Sequence, residues 1–233
     1  VNDKPVATAQ TVEATEQTEK TITLAGTDAE GDTITYIVAS LPTNGTLTDN
    51  GTAITSDDLP KTTTGTDVVY TSTSDTATSD SFTFKVNDGT VDSDAATVTI
   101  NITAVNDTPT ATAQTVDATE DVAKTITLAG TDPDGDTITY IVTSLPTNGT
   151  LADNGTAITS DDLPKTTTGT DVVYTATSES ATSDSFTFKV NDGTVDSDAA
   201  TVTINTTLVN DKPVATAQTV EATEQTEKTI TLA

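Results

Sequence analysis

The chain has 233 residues, of which 36 are acidic and nine, all Lys, are basic, so its net charge is −27. It contains no Cys and no His, which excludes disulfides and thiol nucleophiles and removes the commonest general base and zinc ligand. Because so acidic a chain repels phosphate groups, we expect no nucleic-acid partner. We expect hard cations such as Ca²⁺, which prefer oxygen ligands, to bind its carboxylates. No apolar run approaches the roughly 18 residues of a membrane span, so we expect no membrane insertion.

Strands are predicted from the beginning of the chain, because apolar residues alternate with Thr. In chain order, they are predicted at 6–12 (an edge strand), 21–25, 33–38, 51–54, 67–71, 81–86 and 96–102. Asn44-Gly45 and Asn50-Gly51 predict hairpin turns, since Asn and Gly tolerate positive φ. No segment has the periodicity of an amphipathic helix.

The same pattern then returns with a period of 104 residues, and copies one and two match at 89 of 104 positions. This period is the size of an independent domain and too long for a solenoid unit. We therefore predict a first repeat at 1–104, a second at 105–208 and the truncated start of a third at 209–233. The predicted fold class is all-β: tandem Greek-key β-sandwiches of about seven strands, as in immunoglobulin-like domains. We interpret the sequence as a piece of a longer array.

The third copy adds information about the array. Within their first 25 positions, copies one and two differ at six, and the third copy follows copy one at all six. Among these positions are Gln17, Asp121 and Gln225, which are equivalent in the three copies. An alternating A-B-A array produces this pattern, and a random mixture of two variants produces it as well.

Two segments resemble cadherin motifs. Residues 81–109 look like the last two strands of a cadherin domain followed by its NDxxP-like linker, Asn106-Asp107-Thr108-Pro109. Residues 27–37 and 131–141 resemble the DxDxG turn that precedes a cadherin strand. The chain is thus similar to cadherin domains, and more closely to the bacterial cadherin-like tandem repeats of very large surface adhesins.

This resemblance implies Ca²⁺ ions between consecutive repeats, held by oxygen ligands. At the first junction the implied ligands are Glu16, Asn106, Asp107, Asp132, Asp134 and Asp192. At the second junction they are Glu120, Asn210 and Asp211, and at the start of the first repeat they are Asn2, Asp3, Asp28, Glu30 and Asp88. Oxygen ligands in this number suit Ca²⁺ and do not suit tetrahedral Zn²⁺.

The sequence also departs from the cadherin pattern. Ala104 and Leu208 stand where the family has an acidic residue. The family's LDRE motif has no clear match, and its nearest candidates are Asp75, Asp80, Glu179 and Asp184. These departures favour one or two ions per junction over three. The alternative for the acidic turn at 132–136 is a polar turn without metal, because Asp and Gly favour turns by themselves.

The composition and the resemblance together predict a protein without enzymatic activity, since no Ser or Thr has a His base and short turns leave no walled cleft. The resemblance implies an extracellular spacer on a bacterial surface, in which Ca²⁺ stiffens the junctions and neighbouring repeats are the partners. The alternative is a self-associating fibre or biofilm-matrix protein, in which other copies of the chain pair along Thr-rich edge strands.

Overall fold

The computed structural model describes residues 2–231, so the predicted domain limits at positions 1 and 233 lie outside the described part. The described chain forms two compact units. The first unit contains the chain up to Ala111 together with Gly130–Thr139 and Val190–Asp198. The second unit contains Thr112–Ala129, Tyr140–Lys189 and the chain from Ala199 onward. In the described residues, no helix is long and apolar enough to cross a membrane.

The strands of the first repeat follow the alternation of apolar residues and Thr. They are β1 (Val6–Ala7), β2 (Gln10–Thr15), β3 (Lys20–Thr23), β4 (Gly26–Thr27), β5 (Thr35–Val38), β6 (Gly45–Asp49), β7 (Thr52–Ala53), β8 (Lys61–Thr62), β9 (Asp67–Ser72), β10 (Ser79–Asn87) and β11 (Ala96–Thr103). A single 3₁₀ turn, Ser56–Asp58, lies between β7 and β8 in the described part of this repeat. Seven of these strands have four or more residues, in agreement with the predicted number.

The second repeat has the same elements in the same order. They are β12 (Thr110–Ala111), β13 (Gln114–Thr119), β14 (Lys124–Thr127), β15 (Gly130–Thr131), β16 (Thr139–Val142), β17 (Gly149–Asp153), β18 (Thr156–Ala157), a 3₁₀ turn at Ser160–Asp162, β19 (Lys165–Thr166), β20 (Asp171–Ala176), β21 (Ser183–Asn191) and β22 (Ala200–Thr207). Between 209 and 231 the structure describes no strand, and every residue there is exposed. We expect that this segment cannot fold alone, because it supplies only the beginning of a sandwich and isolated hairpins are marginally stable at best.

The first repeat is a sandwich of two sheets. One sheet has the strand order β2-β11-β10-β5-β8, and the other has the order β3-β9-β6-β7, while β1 pairs with β4 separately. Neighbouring strands are antiparallel with one exception, because β2 runs parallel to β11 from Gln10 opposite Val98 to Thr15 opposite Thr103. The corresponding strands of the second repeat form sheets of the same order. The predicted all-β sandwich is therefore confirmed.

The core of the first repeat lies between the two sheets. In β10 and β11 every second side chain is buried, as the period-two pattern requires. The largest fully buried side chains of this repeat are Tyr70, Phe82, Phe84, Ile22, Leu24, Leu47 and Ile100. Exposed Thr residues occupy many of the alternate positions, where their β-branched side chains suit the extended backbone.

One of the two predicted hairpin turns is wrong. Asn50 and Gly51 have φ values of 48° and 77° and join β6 to β7, as predicted. Gly45 instead begins β6, because it lies against the ring of Tyr70 across the sheet. A Cβ atom at Gly45 would come within 2.4 Å of that ring, so this glycine permits close packing and not a turn.

Candidate metal centre

Three carboxylates meet at the end of the first repeat. Glu16 follows the last residue of β2, Asp75 lies in the loop between β9 and β10, and Asp107 lies in the segment after β11. Their carboxylate oxygens lie within 4.8 Å of one another. All three residues belong to the first unit. We call Glu16, Asp75 and Asp107 the first base cluster.

Glu16 is held rigidly in this cluster. Only 1% of the residue is exposed. Its backbone N–H donates to the carbonyl of Thr103 at 3.0 Å, and its Oε2 accepts from the N–H of Val105 at 3.0 Å. Its Oε1 is buried and has no hydrogen-bond partner. Leaving a buried acceptor unpaired costs about 1–3 kcal/mol, and more when the group is charged, so this oxygen is poised for a cation.

The segment after β11 connects this cluster to further acidic residues of the first unit. The Asn106 side chain donates to Asp192 Oδ2 at 2.9 Å, and the N–H of Asp107 donates to Asp134 Oδ2 at 2.7 Å. The Asn106 amide, with help from the N–H of Val195, holds the pKa of Asp192 below its usual value.

The acidic turn in this unit is organised in the same way. Asp132 Oδ1 accepts from the N–H of Asp136 at 3.0 Å, which folds the turn around the first carboxylate. Asp132 Oδ2 and Asp134 Oδ1 are buried and unpartnered. An open cavity of about 320 Å³ is lined by Asp75, Thr76, Ala104, Val105, Asn106, Asp134 and Asp136. The turn therefore presents two free carboxylate oxygens in addition to that of Glu16.

The beginning of the chain repeats the arrangement of the acidic turn. Asn2 donates to Asp88 at 2.8 Å, the N–H of Asp3 donates to Glu30 at 3.2 Å, and Asp28 Oδ1 accepts from the N–H of Glu30 at 3.0 Å. Asp28 Oδ2 is buried and unpartnered. The structure thus brings together all five residues that the sequence predicted for this end.

The second base cluster lies in the second unit and consists of Glu120, Glu179 and Asp211. Glu120 is 2% exposed, its Oε2 accepts from the N–H of Val209 at 2.8 Å, and its Oε1 is unpartnered. A hydrogen bond with Asp211 raises the pKa of the Glu179 carboxyl, and the charges of Asp211 and Glu120 add to the rise. Carboxyl groups this close to one another disfavour each other's negative charge, and a cation between them would relieve that repulsion. The predicted ligand Asn210 is exposed and donates to the carbonyl of Asp211 at 3.3 Å.

The sequence only partly anticipated these clusters. Asp75 and Glu179 were among the nearest candidates for a missing motif, and both are members of a base cluster. The other two candidates, Asp80 and Asp184, are buried elsewhere in their repeats and accept hydrogen bonds from Tyr70 and Tyr174. An acidic residue shortly after β9 or β20 was the available signal, but sequence spacing alone could not show which loop reaches Glu16 or Glu120.

The donor set fits a hard cation. The side-chain atoms that could bind a metal are carboxylate and amide oxygens, which Ca²⁺ prefers. Several of the carboxylate oxygens are buried without a hydrogen-bond partner. In the described residues the salt bridges are Lys4–Asp94 and Lys85–Asp92, and neither includes a member of a base cluster. A bound cation would supply the positive charge that no lysine provides there.

Comparison with known proteins places the chain in a family. Residues 2–101 and 106–205 match the family described as bacterial Ig domain. The chain therefore belongs to the bacterial Ig domain family and contains two tandem members of it. No curated protein sequence matches the chain significantly.

Cadherin domains are among the solved structures that are similar to this chain. The extracellular domain of protocadherin gamma-B4 is 14% identical with a TM-score of 0.50, and the alignment covers 89% of this chain and 35% of that one. The EC1-2 fragment of human mucin-like protocadherin is 16% identical with a TM-score of 0.49, covering 88% of this chain and 98% of that one. This chain thus spans about a third of the protocadherin gamma-B4 structure.

Proposed function

We propose that this chain is part of an extracellular spacer on a bacterial surface, in which Ca²⁺ at the junctions stiffens consecutive repeats. The observation that carries the proposal is the buried, unpartnered Oε1 of Glu16 beside the carboxylates of Asp75 and Asp107. Three negative groups at this distance repel one another, and a divalent ion reverses the sign of their interaction. The role is structural, and no residue is assigned to catalysis.

The near-identity of the repeats supports the same role. A spacer needs length and stiffness, which identical copies supply, whereas a binding or catalytic protein needs one specialised site. The net charge of −27 also keeps the array soluble and favours cation uptake. In this proposal, the array holds an adhesive region away from the cell, and the partners of each repeat are its neighbours in the chain.

The test is a Ca²⁺ titration of the whole chain by calorimetry, together with small-angle X-ray scattering in Ca²⁺ and in chelator. We expect measurable binding and a narrower distribution of interdomain distances with Ca²⁺. The double variant Asp132→Asn/Asp134→Asn should resemble the chelated protein at the first junction.

The control variant Asp57→Asn/Asp161→Asn also removes two negative charges, but from exposed residues, and should behave like wild type. Unchanged scattering in chelator would contradict the calcium-stiffened spacer. Light scattering distinguishes the alternative, because Ca²⁺-dependent growth in particle mass would indicate a self-associating fibre.

A further inference from the structure

The residue that follows the buried glutamate differs between the two repeats. It is Gln17 in the first and Asp121 in the second, and both have left-handed backbone conformations, with φ of 55° and 57°. The shared conformation places the two side chains at equivalent positions beside their base clusters. A change of residue there therefore alters the charge at the cluster without altering the turn.

The two side chains act differently on their clusters. Gln17 Nε2 donates to Asp107 Oδ2 at 2.8 Å, so an amide hydrogen bond already occupies one oxygen of the first base cluster. Asp121 has a carboxyl group in place of the amide, at the equivalent position and with the same backbone conformation, so it adds an acidic group beside the second base cluster. The first cluster is thus partly satisfied by the protein itself, whereas the second gains a further charge.

Total charge in the turn does not explain the difference. The first repeat has Glu16 and Glu19 in this turn, and the second has Glu120 and Asp121, so each turn carries two acidic residues. Glu19 is exposed and is not one of the three carboxylates that meet in the first base cluster. What differs is the position of the second charge relative to the cluster.

We infer that the residue at position 17, and its equivalent at 121, sets the divalent-cation affinity of each junction, which is weak with Gln and strong with Asp. This inference rests on the proposed function. Carboxylate count and site rigidity tune Ca²⁺ affinity in oxygen-ligand sites, and Gln17 must also release Asp107 before a cation can use that oxygen. Because the third copy has Gln225, junctions of the two affinities alternate wherever the A-B-A pattern continues.

The alternation gives the array a graded response. As the concentration of Ca²⁺ rises, junctions that follow a B-type repeat fill first, and those that follow an A-type repeat fill later. Between the two steps, the array consists of stiff pairs of repeats joined by loose junctions. One extra unit charge about 6 Å from a divalent ion in water interacts with it by about 1.4 kcal/mol, which is a tenfold change in affinity.

Reciprocal exchange of the two residues tests the inference in the intact chain. Each cluster has its own reporter, because the N–H groups of Val105 and Val209 donate to Glu16 and Glu120. A Ca²⁺ titration followed by NMR at these two amides measures both affinities in one sample. We expect Gln17→Asp to tighten binding about tenfold at Val105, and Asp121→Gln to weaken it about tenfold at Val209.

The matched control is Glu19→Gln, which changes the charge of the same turn outside the cluster and should alter the affinity less than about twofold. Each exchange installs the residue that the other repeat already carries at the same backbone conformation, so both variants should fold. If Gln17→Asp leaves the Ca²⁺ affinity measured at Val105 at its wild-type value, as the control Glu19→Gln should, the inference is overturned. If neither amide responds to Ca²⁺ in the wild-type chain, the proposed function fails as well.

Discussion

Asp80 and Glu16 are buried carboxylates in two regions of the first repeat, and they differ in what surrounds them. Asp80 is 7% exposed and accepts hydrogen bonds from the N–H groups of Thr43 and Asn44, at 3.0 and 2.9 Å, and from the Tyr70 hydroxyl at 3.1 Å. Glu16 is buried more deeply, yet one of its oxygens has no partner. Burial therefore does not distinguish Asp80 from the proposed ligand Glu16, whereas hydrogen-bond satisfaction does.

Only the region around Glu16 should respond to a cation. The charge of Asp80 is met by protein dipoles, so this carboxylate stabilises the fold in any buffer. Glu16 accepts a side-chain hydrogen bond on one oxygen only and lies near two further carboxylates. It should therefore destabilise the fold without metal and stabilise the fold when metal is bound. The second repeat provides the same contrast between Asp184 and Glu120.

The largest expected effect is that of Asp80→Ala. This substitution leaves two backbone N–H groups and the Tyr70 hydroxyl without their acceptor, so we expect the unfolding free energy of the first repeat to fall by at least about 3 kcal/mol. Urea denaturation followed by circular dichroism, in Ca²⁺ and in chelator, measures it. The loss should be the same in both buffers, and Asp184→Ala should give the same loss in the second repeat. If the loss of unfolding free energy differed between Ca²⁺ and chelator, the proposed contrast between Asp80 and Glu16 would be wrong.

The second prediction concerns Glu16→Gln. Ca²⁺ at 100 times its Kd should stabilise the wild-type first repeat by about 2.7 kcal/mol, because the ion binds the folded form. The variant should lose this gain and yet be about 1 kcal/mol more stable than wild type in chelator, because an amide relieves the repulsion in the cluster. Thermal melting in both buffers measures this crossing, with Glu19→Gln as control. A variant less stable than wild type in chelator would show that Glu16 is structural, like Asp80.

The smallest effect is expected for the tyrosine beside Asp80. Burial raises the pKa of Tyr70 to about 12, and the charge of Asp80 adds to the rise. Because the folded pKa lies above the unfolded value of about 10, this stabilisation is complete below pH 10 and is lost as the pH rises towards 12.

Tyr70→Phe removes one hydrogen bond and should cost about 1 kcal/mol at neutral pH. The variant should also lose less stability than wild type between pH 10 and pH 12. Urea denaturation at pH 7 and pH 11 measures both effects, and Tyr174→Phe provides the equivalent comparison in the second repeat. If wild type and variant lose the same unfolding free energy between pH 7 and pH 11, ionisation of Tyr70 does not contribute to the loss, and the contact between Tyr70 and Asp80 does not have the predicted role.

Much of the fold was predictable, because apolar residues alternate with Thr wherever a long strand faces the core. β6 was missed because Asn44-Gly45 has the composition of a turn, and only the position of the Tyr70 ring shows why a glycine begins a strand there. Strands of two residues, such as β4 and β8, were also missed, since a period of two cannot be recognised in so few residues.

The candidate site was predictable to a smaller extent. The resemblance to cadherin motifs implied Glu16, Asp107 and the acidic turn as ligands. The motifs could not assign Asp75 to the base cluster and Asp80 to a hydrogen-bonded pocket, because the two acidic residues are close in sequence, Asp75 in the loop before β10 and Asp80 at the beginning of β10. Only the fold determines that one of them faces Glu16 and the other faces Tyr70.

The parallel pairing of β2 with β11 has a mechanical consequence. The chain enters the first repeat just before β2 and leaves it just after β11, so tension applied to the two ends pulls these neighbouring strands in opposite directions along their axes. The hydrogen bonds between Gln10–Thr15 and Val98–Thr103 are then loaded together in shear and are not peeled apart one at a time. The first repeat therefore resists extension most strongly along the direction in which a tethered chain would be pulled.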